Sequence, residues 1–240
     1  MLGLGTSLVG ERTVGQDFSP GSIAGLALWL DASDSSTLLN AASEGSPAAP
    51  DDPVFRWLDK SGNRNDAVQT TLNQCGLRRT AAQHGLDVVE FDGSNDNMIA
   101  NIPQIAGVQP VIFVVWKYSA AEVISYGALF EHGGAGARLN AYFVVLSTSF
   151  DQPQPMLFRN LTDLSGSVNV APINACNVLA YQTLSASEDT NYKLGGCWES
   201  AFTMGDPLRL SEMLIYSAPP SIRDVQKLIA YLMAKWGVSQ

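Results

Sequence analysis

The chain has 240 residues, 46% of them hydrophobic and 15% charged, which is enough apolar content for a full core and argues against intrinsic disorder. Its formal net charge of −9 comes from 23 acidic and 14 basic residues, the latter scattered with one adjacent pair, Arg78–Arg79, a poor pattern for binding nucleic acid or an anionic membrane. The three cysteines, Cys75, Cys176 and Cys197, are widely spaced with no CxxC, and the two histidines, His84 and His132, are too few for a His-rich metal centre. The thiols therefore read as buried and free in a reducing compartment.

In chain order, residues 1–22, MLGLGTSLVGERTVGQDFSPGS, form a Gly-, Ser- and Thr-rich segment through which Leu2, Leu4, Leu8, Val9 and Phe18 are spaced. No basic n-region precedes its apolar residues, so it does not read as a secretory signal. It cannot build a core alone, and it is expected to be an arm that buries its leucines on a partner; a frayed terminus is the alternative. No stretch approaches about 18 uninterrupted apolar residues, so no membrane-spanning helix is expected.

Residues 23–240 read as one β domain. GLALWLDA, residues 25–32, alternates as a strand, and 38–53 is a loop by its Pro, Ser and Ala content. VFRWLD is a short strand, with Trp57, like Trp29 before it, expected between sheets. GLDVVEFDG puts Val88, Glu90 and Asp92 on one face and Asp87, Val89 and Phe91 on the other. QPVIFVVWKY, residues 109–118, is continuous, β-branched and aromatic, as in a strand buried on both faces. GALFEH and LNAYFVVLST flank HGGAGAR, read as a hairpin connection, and five further strands follow at intervals set by turn signals. The rhythm is that of a two-sheet antiparallel sandwich.

One segment differs. In PPSIRDVQKLIAYLMAKWGV, Ser221 is an N-cap with Asp224 three residues on, and Gly237 is the stop. Ile222, Val225, Leu228, Ile229, Leu232, Met233 and Trp236 share a face at helical spacing, so a helix is expected to pack on the sandwich. Lys235 falls in the last turn, where the helix dipole favours a cation.

Two polar runs, DKSGNRND (59–66) and DGSND (92–96), raise the question of function. Taken with LALWLDASDSSTL, VFRWLDKSGNRNDAVQ, VVEFDGSNDNM and LSEMLIYSAPPSIRDVQKLIAYLMAKWGV, they resemble the laminin-G-like branch of the concanavalin A-like lectin/glucanase superfamily, in the form found in phage structural proteins and bacterial surface proteins. The likeness covers residues 25–240 in order, the middle only as strand rhythm. It implies an all-β fold, a two-sheet antiparallel jelly-roll sandwich with one C-terminal helix.

Members of that branch often bind sugars, and some hold calcium in loops at one end. That implies Ca2+ ligands at Asp59, Asn63 and Asp66 around Gly62, and at Asp92, Asn95 and Asp96 around Gly93. The same runs are good turn formers, since Gly takes positive φ and Asx side chains bond nearby amides. Trp198, after GG in KLGGCWES, is a loop aromatic suited either to stacking on a sugar or to packing in the core. Glu90 and Asp92 share a strand face as carboxylates do in the glucanase branch, but the second Glu of that pattern is missing. No nucleophile elbow accompanies either histidine.

These readings lead to an expectation of a non-enzymatic virion component, a head spike, fibre or tail-tip protein made in the host cytoplasm. In it the arm would bind other virion proteins, and a homo-oligomeric sandwich would contact cell-surface glycan, with neither nucleic acid nor membrane as partner. The alternatives are a glycan-active hydrolase of glucanase-like fold and a purely structural decoration protein.

Overall fold

The computed structural model describes residues 18–118, 127–128, 130–132, 142–144, 147–148, 157–163, 176–183, 190–195 and 207–239. The larger sheet holds β1 (Leu26–Asp31), β5 (Leu77–Gln83), β6 (Leu86–Phe91), β8 (Val111–Tyr118), β13 (Leu157–Arg159), β14 (Thr162–Asp163), β15 (Asn177–Gln182) and β17 (Leu208–Tyr216). Their order is β14-β13-β15-β8-β17-β6-β5, and β1 also pairs with β17. The smaller sheet holds β2 (Leu38–Leu39), β3 (Arg56–Trp57), β4 (Ala67–Val68), β7 (Met98–Asn101), β10 (Phe130–His132) and β16 (Asn191–Leu194), in the order β10-β16-β7-β4-β3-β2. A separate ribbon joins β9 (Gly127–Ala128), β11 (Tyr142–Val144) and β12 (Ser147–Thr148). All the pairings in the two large sheets are antiparallel, as the strand rhythm predicts.

Strand β8 explains the layering. Its side chains alternate between two cores, which is why it reads as a continuous apolar run. Ile112, Val114 and Trp116 point between the sheets, joining Leu28, Leu30, Trp57, Ala67 and Tyr192. Val111, Phe113 and Val115 point the other way, into a second core beneath α1 (Ile222–Trp236). The molecule is thus a stack of smaller sheet, larger sheet and helix.

Helix α1 begins as its sequence predicts. Ser221 Oγ accepts from the Asp224 amide at 3.2 Å and donates to Asp224 Oδ2 at 2.7 Å. Val225, Leu228, Ile229, Leu232, Met233 and Trp236 are buried, but Ile222, in the first turn, is 56% exposed and stands off the core. At the other end Gly237 adopts φ 64°, and a Cβ there would come within 2.6 Å of the His84 ring. The β5–β6 turn closes over this end: Gln83 Nε2 donates to the Trp236 carbonyl at 2.8 Å, and His84 Nδ1 lies 3.0 Å from that of Lys235. These contacts satisfy carbonyls that a helix C-terminus leaves unpaired.

Two expectations change. Trp57 lies between the sheets, fully buried, but Trp29 does not. Leu28 and Leu30 take the inner face of β1, and the period of two turns Trp29 to the helix side, where it is partly buried. The end of the expected arm also packs on the domain. Phe18 meets Tyr231 edge to face at 5.5 Å, and Tyr216 donates its hydroxyl hydrogen to the Pro20 carbonyl at 3.0 Å. The rest of the arm, GGAGAR (133–138) and the strand expected over 168–174 lie outside the described residues.

Candidate functional site

The 59–66 run is a turn whose carboxylates are occupied by the chain itself. Asp59 Oδ1 accepts from the Trp29 and Ser61 amides at 2.9 and 2.8 Å, and Oδ2 from Ser61 Oγ and the Asn65 amide at 2.7 and 3.0 Å. Asp66 Oδ1 accepts from the Asp59 amide at 2.7 Å, and Oδ2 from Arg56 Nε at 2.8 Å. Asn63 Nδ2 donates to the Leu26 carbonyl at 2.9 Å, and Asn65 Nδ2 to that of Ala27 at 2.8 Å and to Gln104 Oε1 at 2.7 Å. Gly62, at φ 90°, makes the reversal possible. The run staples the irregular start of β1 to the β3–β4 connection. Asn65 and Gln104 were not singled out in the sequence, because their partners are 38 and 39 residues away.

The 92–96 run is built the same way. Asp92 Oδ1 accepts from the amides of Ser94, Asn95 and Asp96 at 2.8, 3.1 and 3.2 Å, and the Asp92 amide donates to Asp96 Oδ2 at 2.9 Å. Asn95 is exposed, and its carbonyl accepts from Asn97 Nδ2 at 2.9 Å. Asp96 is buried, and burial together with the nearby Asp92 charge pushes its carboxyl up to about 6. The structure does not bring the two runs together. Ala67 pairs with Ala100 and Val68 with Ile99, so Asp66 and Asp96 sit at opposite ends of the β4–β7 ladder. Among the described residues no group of three or more His, Cys, Asp or Glu could hold a metal. Trp198 lies outside the described residues.

The carboxylates with catalytic potential are also engaged. Glu90 is half-buried; against the cost of burial, hydrogen bonds from Arg209 and Arg79 at 2.7 and 2.8 Å hold it below the ordinary carboxylate range. A second pair is found only in the fold: the β1–β17 register sets Asp31 directly opposite Glu212. Glu212 Oε1 accepts from Trp29 Nε1 at 2.8 Å, and Oε2 from Lys235 Nζ and Trp236 Nε1, both at 2.7 Å. Asp31 Oδ1 accepts from Lys235 Nζ at 2.7 Å and Oδ2 from Lys60 Nζ at 2.8 Å. Burial and the Asp31 charge push Glu212 up; burial opposes ionisation of Asp31 too, but the Lys235 charge and hydrogen bonds hold it down. Split carboxylates of this kind serve glycosidases. Here Glu212 is 0% exposed with both oxygens taken, so the pair ties β1 and β17 to α1 and to Lys60 of the β3–β4 connection and offers no face to a substrate.

The outer face of the smaller sheet is different. Cross-strand pairing aligns Arg56, Val68, Ile99 and Lys193 in one row across β3, β4, β7 and β16, back to back with the buried Trp57, Ala67, Ala100 and Tyr192. The next row pairs Asn101 with Asn191, and Asn101 Nδ2 reaches both Thr190 Oγ1 and Asn191 Oδ1 at 2.9 Å. Arg56 is fixed by Asp66 and by the Ser43 carbonyl, 2.7 Å from its Nη1. An apolar centre of Val68 and Ile99 is thus bordered by cations and amides, the mixture that small-molecule sites use.

No family model matches the sequence, and no curated protein matches it. Among solved structures, a Trypanosoma rangeli sialidase bound to 2,3-difluoro-KDN aligns over 88% of this chain with a TM-score of 0.51 and 11% identity. The same organism's sialidase with the inhibitor DANA aligns over 86%, at 0.48 and 11%. The chain spans about a third of those proteins, 33% in both cases. At this identity the likeness establishes the fold, a β-sandwich. It also corrects the expectation of a non-enzymatic virion component. The solved structure on which that likeness rests is a sialidase, not a particle protein.

Proposed function

We propose that this sandwich engages carbohydrate through the open face of its smaller sheet, as the glycan-contacting part of a glycan-active hydrolase. The observation that carries this reading is the row Arg56–Val68–Ile99–Lys193 with Asn101 beside it. A sugar ring offers C–H surface to the two apolar side chains and hydroxyls to the amides and cations at their border. Two facts support it: the architecture shared with a sialidase, and the resemblance of the 26–38, 54–69, 88–98 and 210–238 motifs to the laminin-G-like branch.

The test is binding of the purified chain to an array of immobilised neutral and acidic glycans, followed by assay of bound glycans for released sugar. Binding that is abolished by Ile99→Asp, with melting unchanged, supports the reading. Failure to bind any glycan, or binding indifferent to Ile99→Asp, rejects it.

A further inference from the structure

The basic residues are scattered in sequence, adjacent only at Arg78 and Arg79, yet the larger sheet collects Arg79, Lys117 and Arg209 on its helix-side face. On that face the apolar residues packed under α1 include Val115 on β8 and Val88 on β6. Two residues further along each strand, on the same face, come Lys117 and Glu90. Arg209 on β17 lies between them, in register with Lys117 on one side and Glu90 on the other. Glu90 holds Arg209 Nε at 2.7 Å on one oxygen and Arg79 Nε at 2.8 Å on the other, and Arg79 Nη1 reaches Asp51 at 2.7 Å.

Placing Lys117 directly opposite Arg209 is unfavourable, because like charges facing each other across a ladder repel. The arrangement is unexpected in a chain with 23 acidic residues and 14 basic ones. Among the described residues no carboxylate meets the Lys117 ammonium or the two terminal nitrogens of Arg209, while Glu90 is spent on orienting two guanidinium groups. Arg209 and Arg79 keep 31% and 33% of their side-chain surface exposed. Among the described residues, three cations against Glu90 and Asp51 leave one positive charge over.

We propose that Lys117 and Arg209 form a binding site for a monoanionic oxyanion, the carboxylate or sulfate ester of an acidic sugar. The terminal edge of the Arg209 guanidinium can take two oxygens side by side, and Lys117 adds a point charge beside it. Glu90 is a positioning residue that fixes the Arg209 plane. The single surplus charge fits a monoanion better than a phosphate monoester. That the anion is borne by a sugar rests on the glycan reading above; the anion site does not, and it lies on the opposite side of the larger sheet from the Ile99 face.

The experiment is an NMR titration of the full chain with glucuronate, glucose and inorganic sulfate, repeated with Lys117→Gln and Arg209→Lys. We expect glucuronate, and not glucose, to shift the Lys117 and Arg209 signals. Both variants should weaken it about tenfold, because one loses the charge and the other keeps it but loses the fork. Neutral-glycan binding at the Ile99 face should be untouched by either variant. Failure of glucuronate to bind, or unchanged affinity in both variants, overturns the anion site and leaves the Ile99 reading standing. Sulfate binding as tightly as glucuronate overturns the sugar as carrier.

Discussion

Asp31 and Glu212 stand opposite each other across the β1–β17 ladder, and one ammonium, that of Lys235, lies 2.7 Å from an oxygen of each. The strands supply the two negative charges and the helix supplies the cation. Docking of α1 and ionisation of this pair are therefore one event. Lys235→Met would leave a fully buried carboxylate without its cation, and should cost about 3–5 kcal/mol in urea unfolding. Lys227→Met, removing an exposed 3.1 Å pair with Asp224, should cost less than about 1 kcal/mol. Equal effects would show that the clamp contributes nothing.

Trp236 is 0% exposed, and its indole N–H donates to Glu212. Trp236→Ala should cost about 3–5 kcal/mol, as for other buried aromatics. A variant that melts with the parent would mean that α1 is not docked on the larger sheet.

Asp96 sets a pH dependence with a definite sign. Its carboxyl is raised from 3.8 to about 6, so between those values the folded state holds more protons than the unfolded one. Stability should fall as pH rises through that window, and be recovered on acidification. Asp96→Asn removes the charge but keeps an oxygen for the Asp92 amide. It should stabilise the protein at pH 7 by about 1–3 kcal/mol and have little effect near pH 4. Thermal melts at the two pH values check this.

The calcium question has a direct measurement. The oxygens of Asp59 and Asp66 are already shared among amides, a hydroxyl and Arg56. We expect equal melting temperatures in excess calcium and in chelator. A site with a dissociation constant a hundredfold below the added calcium would raise stability by about 2.7 kcal/mol, and that shift would establish the metal.

What could be read from sequence was what repeats locally. The two buried faces of β8 and the N-cap, apolar stripe and stop of α1 follow from periods of two and 3.6 and from single capping residues. The turn character of both polar runs followed from Gly and Asx chemistry. What could not be read was register. Asp31 and Glu212 are 181 residues apart, and nothing near either names its partner. Lys117 and Arg209 are 92 residues apart and are set opposite each other by the β8–β17 ladder. The row of Ile99 and Lys193 likewise exists only through the β7–β16 pairing.

Strand β17 pairs with β1, β6 and β8, all of which precede it by many residues. During synthesis those three strands emerge without the partner that joins them, and the apolar side of β8 stays bare until α1 has followed. The nascent chain is therefore obliged to wait, half-assembled, for the hundred ångströms or so of backbone, at extended spacing, that runs from β17 through α1. Such long-range closure makes for slow folding, and for a long interval in which unpaired edges invite other chains. A chaperone that shields β-edges would act on this protein before residue 208 leaves the ribosome, and should be dispensable once α1 has docked.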